Sequence, residues 1–248
     1  MRRIAAGVFF LCAALAMPPL AFAYRPFDST DAAVAAKGEV ELELGPLGFL
    51  KTGPDRFLVA PGAILNLGVA RDWELVLQGR QLIFLGELAG EPRVRLVDTG
   101  LFLKGVLREG SLQQADGPSI AIELGPLLPT INGEPGVGAT GTLIVSQRWT
   151  SATMHLNAEV TLTRAKNVDL FGGVIVEGRH DWTVRPVAEA FVEREFGASS
   201  VISGLAGAIW QLSDGLSFDV GLRAARMDDG SAFEIRAGFT WAPLWASR

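Results

Sequence analysis

The stretch Thr153–Arg164, TMHLNAEVTLTR, decides the fold of this chain. Polar and apolar residues alternate along it, with Met154, Leu156 and Ala158 apolar and each of their neighbours polar. A period of two places the two sets on opposite faces of a β-strand. Alternating runs of this kind recur between short turns along the chain, so the sequence predicts an all-β protein.

Counting the alternating runs between turn signals predicts about twelve strands. The predicted strands are 37–50, 56–70, 73–87, 94–108, 118–128, 138–149, 152–164, 168–180, 183–196, 201–212, 216–227 and 231–242. Short connections between successive strands favour an up-and-down antiparallel arrangement. Because lipid cannot satisfy an open sheet edge, such a sheet in a membrane must close into a barrel. An even strand count would place both chain ends on the periplasmic side.

The beginning of the chain has the three parts of a secretory signal peptide. Arg2 and Arg3 provide the positive start, Ile4–Ala16 is apolar, and Ala21–Ala23 is a small-x-small cleavage site. We therefore expect residues 1–23 to be removed. The remaining organisation is predicted as an N-terminal tail or plug at 24–36, a barrel at 37–242 and a C-terminal extension at 243–248.

Composition narrows the function of the mature chain. Cleavage would remove the single cysteine, Cys12, and two arginines, so 22 basic and 27 acidic residues become 20 and 27, a net charge near −7. Without cysteine, disulfides and cysteine-metal sites are excluded, and we expect neither a metal nor a cofactor. The acidic balance argues against nucleic-acid partners.

Tryptophan placement distinguishes a membrane barrel from a soluble one that binds apolar ligands. A soluble barrel turns its apolar face inward, whereas a membrane barrel turns it toward lipid. All six tryptophans fall at strand ends on the predicted periplasmic side, as in an interfacial girdle: Trp73, Trp149, Trp182, Trp210, Trp241 and Trp245. The sequence therefore favours a transmembrane barrel in the outer membrane.

In a membrane barrel the charged face lines the lumen. The candidate lumen-lining and solute-contact residues carry both signs: Glu74, Arg80, Lys104, Arg108, Glu123, Arg148, His155, Glu159, Glu177, Arg179, Arg185, Glu189, Glu193, Asp219, Arg223, Glu234 and Arg236. Two interpretations are open. The charges either line a water-filled, weakly selective pore, or form a salt-bridge network that fills a narrow lumen.

The sequence also contains residues that resemble a Ser-His-acid catalytic triad. Across the tight turn at 150–151, Ser146 would lie opposite His155 on the same face, and Glu159 follows on that face. Four strand residues span about 13 Å, so Glu159 cannot orient His155 directly. A triad requires mutual hydrogen-bond reach, and we therefore predict that the protein is not an enzyme.

Several segments resemble one family of outer-membrane proteins. Arg25-Pro26-Phe27, Thr30-Asp31-Ala32 and Lys37-Gly38-Glu39 are similar to the start of the family described as putative MetA-pathway of phenol degradation. The resemblance covers most of residues 24–242, although one Asp stands where two are usual. It implies an outer-membrane barrel that passes small, in some cases aromatic, compounds, and it implies no catalytic residues.

Together these observations predict a monomeric, passive outer-membrane channel for small molecules. Its expected partners are outer-membrane lipid, the solute and the outer-membrane assembly machinery. One alternative is a filled, non-conducting barrel that binds a partner or braces the envelope. A second alternative is a soluble periplasmic carrier of apolar ligands.

Overall fold

The computed structural model describes residues 25–86, 92–228 and 230–242. Twelve strands of these residues form a closed antiparallel barrel in which each strand pairs with its sequence neighbours and β1 pairs with β12. The strands are β1 (Val40–Thr52), β2 (Asp55–Ala70), β3 (Trp73–Phe84), β4 (Val94–Arg108), β5 (Ser119–Leu127), β6 (Gly138–Arg148), β7 (Thr153–Leu162), β8 (Val168–Glu177), β9 (Val184–Glu195), β10 (Ser199–Ser213), β11 (Leu216–Met227) and β12 (Gly230–Trp241). The predicted fold class is confirmed.

The first strand begins three residues later than predicted. Gly38 has a left-handed backbone with φ 84°, and the Glu39 amide donates to the Ala36 carbonyl at 2.8 Å. This turn interrupts the extended backbone, so the sheet begins at Val40. The predictions for residues 1–24 and for 243–248, including Trp245, fall outside the described residues.

Alternation places the charged face of the sheet inside the barrel. On β9, Arg185 and Glu189 are buried, whereas Val184 and Val192 are 51% and 55% exposed. Exposed apolar side chains cover the outer face of the other strands as well, with Ile202 reaching 65%. An apolar exterior around a polar interior is typical of barrels that face lipid. No helix among the described residues is long and apolar enough to cross a membrane.

The two ends of the barrel differ in aromatic content. We call the end where β1 begins and β12 ends the proximal end, and the opposite one the distal end. Five tryptophans lie at or near the proximal strand ends, and each is exposed: Trp73, Trp149, Trp182, Trp210 and Trp241. This position suits an interfacial level, where the ring is apolar and the N–H meets polar groups.

The N-terminal segment, residues 25–36, lies inside the barrel. It hydrogen-bonds to inward-facing side chains from strands all around the wall: Glu43 on β1, Glu74 on β3, Ser146 on β6, Asn157 on β7, Glu189 on β9 and Arg236 on β12. Asn157, for example, binds both the amide and the carbonyl of Thr30, at 3.0 and 2.7 Å. Only a segment that crosses the lumen can reach all of these partners.

Inward-facing glycines provide the space for this segment. A Cβ on Gly173 would collide with the Ser29 hydroxyl, and one on Gly68 would collide with the Ala36 carbonyl. A Cβ on Gly221 would lie 2.9 Å from Pro26. The missing side chains therefore form a groove along the inner wall, and the close approach of the backbone explains the choice of glycine.

The proximal half of the lumen contains a small apolar core. Ala32 of the N-terminal segment packs with Leu112, Ala121 and Ile144, and all four are buried. Leu112 belongs to a short 3-10 helix, Ser111–Gln113, in the β4–β5 connection. The segment is thus held by apolar packing as well as by hydrogen bonds.

Candidate functional site

A cavity of about 330 Å³ lies in the lumen beside the N-terminal segment. Its wall includes residues 25–30 of that segment and extends toward the distal end as far as Leu127 and Thr140. Apolar side chains such as Val59 and Phe102 share this wall with charged ones. The cavity is therefore amphipathic and has the size of a small-molecule site.

Three arginines beside the cavity form one ion-pair network. Arg236 lies 2.9 Å from Asp28 and 2.8 Å from Glu234. Arg223 pairs with the same two carboxylates at 3.3 and 3.5 Å, and Arg80 reaches Glu234 at 3.4 Å. Burial raises the pKa of Asp28, but the charges of Arg236 and Arg223 outweigh it and hold that pKa below its usual value. Asp28 is thus a charged anchor for the N-terminal segment.

Two further cationic side chains form ion pairs on other parts of the inner wall. Arg25 pairs with Asp219 at 3.4 Å. Lys104 pairs with Glu74 at 3.4 Å and with Asp31 at 3.8 Å. Buried cations persist only when they are paired in this way. The N-terminal segment therefore supplies one partner in each of these two clusters.

Carboxylates accumulate on the part of the wall formed by β5, β7, β8 and β9. We call Glu123, Glu159, Asp169 and Glu193 the acidic wall. Glu159 pairs in register with Phe171, which in turn pairs with Glu193. No Lys, Arg or His nitrogen of the described residues lies within 4.0 Å of these four carboxylates. The acidic wall is the region of the lumen where carboxylates lack a direct ion pair, although Lys104 acts on Glu123 and Arg223 acts on Glu193 from beyond 4.0 Å.

The predicted Ser146–His155 pair is present, with a different acid. Ser146 Oγ lies 2.8 Å from His155 Nδ1, and His155 Nε2 lies 3.2 Å from Glu177 Oε1. With Nε2 donating to the carboxylate, Nδ1 accepts the serine hydroxyl. Ser146 Oγ also accepts the Ala32 amide at 2.9 Å. Both Ser146 and His155 are buried, at 0% and 2% exposure, so the serine holds the N-terminal segment in place.

Replacing Ser146 tests this anchoring role. We expect Ser146→Ala to lower the free energy of unfolding by about 1–3 kcal/mol, because the buried Ala32 amide and His155 Nδ1 lose their partner. Amide exchange at Ala32 should accelerate, and urea titration in lipid should register the loss of stability. Ser217→Ala, which removes another buried inward-facing serine, is the matched control. Unchanged exchange at Ala32 would contradict the role.

The residues that the sequence predicts to line the lumen fall into two groups, one on the inner face of the strands and one at the proximal rim. Most of them alternate inward on the strands: Glu74, Arg80, Lys104, Glu123, Arg148, His155, Glu159, Glu177, Arg185, Glu189, Glu193, Asp219, Arg223, Glu234 and Arg236. Arg108 and Arg179 lie instead at the proximal rim, where Arg108 donates to the Pro118 carbonyl and Arg179 pairs with Asp181. The strand alternation that predicts the others ends before Arg179, because β8 ends at Glu177.

Sequence reasoning missed several residues of the site. Asp28 and Asp31 belong to a segment without periodicity, so no pattern could place them in the lumen. Asp169 alternates with Phe171 on β8 and could have been found from that alternation. Asn157 and Asn66, which donates to Glu41 and Glu43, are uncharged, so the pattern of charged residues did not indicate them.

Comparisons with known proteins give the fold but no family. No family model and no curated protein matches the sequence. The COG4313 outer membrane channel from Pseudomonas putida F1 superposes with a TM-score of 0.62 at 8% identity, covering 88% of this chain and 100% of that one. The KdgM porin superposes with a TM-score of 0.53 at 8% identity, covering 82% and 98%. The phenol-degradation family thus stays a prediction, and the chain has the barrel fold of outer-membrane channels.

Proposed function

We propose that this protein is a passive outer-membrane channel for small solutes, with the N-terminal segment as its internal constriction. The single observation that carries the proposal is a closed barrel with an apolar exterior and a charged lumen that contains a cavity. Lipid faces the apolar exterior, and hydrated solutes require a polar path. The fold shared with two solved channels supports the same function.

The charge distribution supports a preference for cations. Arg80, Arg223 and Arg236 are neutralised by carboxylates within 4 Å, whereas the acidic wall lacks such partners. Uncompensated charge of one sign in a low-dielectric passage raises the local concentration of the opposite ion. We infer that K⁺ passes more readily than Cl⁻.

Planar-bilayer recording of the refolded mature chain tests the channel. Stable conductance steps are expected, with a reversal potential in a KCl gradient that has the sign of cation preference. Folded protein that gives no steps would overturn the channel proposal. The closed barrel itself can be checked by heat-modifiable gel mobility.

Charge reversal on the acidic wall tests the source of the preference. Glu159→Lys is expected to shift the reversal potential toward that of an anion-preferring pore, because a positive charge replaces an unpaired negative one in the passage. Glu109→Lys changes the net charge equally at an exposed proximal position and serves as the control. An equal shift in both variants would contradict the assignment.

A filled, non-conducting barrel is the second candidate function. It is favoured by the small apolar core around Ala32, which lies in the proximal half of the lumen. In that case the buried ion pairs would serve stability alone. Absence of conductance both before and after removal of residues 25–36 would favour this candidate.

A further inference from the structure

The residues of the acidic wall lie between the distal end of the barrel and the cavity. Asp169 lies one residue from the distal start of β8, and Glu193 lies two residues from the distal end of β9. Glu159 follows further in, and both Glu159 and Glu123 line the cavity. A solute that enters from the distal side therefore meets carboxylates along its whole route to the cavity.

Glu159 of this wall is held in place by hydrogen bonds but has no ion pair among the described residues. Glu159 accepts hydrogen bonds from the hydroxyls of Thr142 and Thr161, at 2.7 and 2.9 Å. Thr142 is itself buried, so it fixes the carboxylate in one position. A preorganised carboxylate without a cation is suited to form a charge-assisted hydrogen bond with a ligand.

A second, independent observation is an unpartnered buried oxygen on the same wall. Asp169 is only 8% exposed, and its side chain is in hydrogen-bond contact with the Glu193 carboxyl group, yet its Oδ1 has no hydrogen-bond partner among the described residues. Buried polar atoms are normally satisfied, because an unsatisfied one costs free energy. A cationic donor arriving from the lumen would satisfy this atom.

Aromatic rings lie between the carboxylates and on the strand beside them. Phe171 separates Glu159 from Glu193 in the register and packs against Phe191, with ring centroids 5.0 Å apart. Phe171 lines the cavity, as does Phe102 on β4. Ring faces attract cations, and an ammonium group beside carboxylate and ring benefits from both.

The remaining charges and the spacing of the carboxylates disfavour anions and metal ions as ligands. The arginines that line the cavity are already bound to carboxylates, so an anionic solute would have to displace an existing ion pair. Among residues 25–86, 92–228 and 230–242, no group of three or more His, Cys, Asp or Glu is arranged to hold a metal ion. The acidic wall combines carboxylates that are spaced apart with apolar surface. This combination favours an organic cation over a metal ion.

We propose that the acidic wall and the adjoining cavity form a binding site for an organic ammonium compound with an apolar or aromatic body. The ammonium group binds Glu159 and Glu123, and the body lies against Phe171 and Phe102. A role of this site in transport rests on the proposed channel function. Binding of the ammonium compound does not require that the barrel conducts ions.

Isothermal titration calorimetry of the full mature chain in detergent tests the site. Three probes share the same aromatic body: 2-phenylethylammonium, the neutral 2-phenylethanol and the anion phenylacetate. We expect saturable binding of the ammonium compound and markedly weaker binding of the other two. No binding of the ammonium compound, or equal binding of all three, would overturn the proposal.

Single-charge variants then localise the site. Glu159→Gln is expected to weaken binding of 2-phenylethylammonium about tenfold, since a charge-assisted bond becomes a neutral one. Glu123→Gln is a second variant in case the first fails to fold, which heat-modifiable mobility would reveal. Glu109→Gln is the charge-matched control at the proximal rim. Undiminished binding in the folded wall variants would overturn the assignment.

The outcomes separate this proposal from the channel function. Binding without conductance would retain the site and reject the channel. Conductance without binding would retain the channel and reject the site. In a conducting protein, the ammonium probe is also expected to cause brief interruptions of the K⁺ current that disappear in Glu159→Gln.

Discussion

Deletion of residues 25–36 is expected to raise the single-channel conductance several-fold. This segment crosses the lumen and supplies part of the wall of the cavity, so its removal widens the passage without altering any strand. The barrel wall should persist, because the sheet hydrogen bonds are all between strands. Recording in a planar bilayer, alongside gel mobility of the unheated protein, would measure the effect.

A point substitution provides a sharper version of the same experiment. Gly173→Val should displace the segment, because a side chain there collides with Ser29. Gly172→Val is the matched control, since a Cβ at Gly172 meets no atom closer than 3.9 Å. We expect higher conductance in the first variant and wild-type conductance in the second. The internal constriction is refuted if deletion and Gly173→Val both leave the conductance unchanged.

Arg236→Leu is expected to lower the free energy of unfolding by about 3 kcal/mol, the magnitude typical of breaking a buried ion pair. The guanidinium binds Asp28, Glu234 and the Pro26 carbonyl, and its loss leaves the buried Glu234 and the partly exposed Asp28 with weaker compensation. Urea titration in phospholipid vesicles would measure the loss. Arg226→Leu removes an exposed arginine one strand away and is expected to change stability little.

The Arg236 effect should depend on the N-terminal segment. In a variant that already lacks residues 25–36, Asp28 is absent, so Arg236→Leu should cost less than in the intact chain. A double-mutant cycle isolates this coupling. Equal losses in both backgrounds would mean that Arg236 stabilises the barrel wall alone and does not anchor the segment.

The strands could be predicted closely because their signal is local. On β7, every inward side chain from Thr153 to Thr161 follows from the period of two, and the observed strand ends lie within a few residues of the predicted ones. The turns could be predicted equally well, since two-residue connections such as Arg71-Asp72 have little conformational freedom. The closed barrel then follows from the need to pair the edge strands.

The acid that partners His155 shows why the site was harder to predict. Along one strand, Glu159 is the nearest inward carboxylate, but it binds threonine hydroxyls instead. Glu177 is distant in sequence and becomes adjacent only through the β7–β8 register. A one-residue change of register would turn it to the opposite face, so the partner depends on the pairing of strands.

The sequence by itself determined the strands and their division into a charged face and an apolar face, because alternation requires only neighbours along the chain. The prediction that the charged face lies inside depended in addition on the positions of the tryptophans. Tertiary structure alone decided which charges are neutralised, since pairs such as Arg236 with Asp28 join residues far apart in sequence. It also decided that residues 25–36 lie in the lumen. This segment has no periodicity, and its place is fixed by side chains from strands that only barrel closure brings around it.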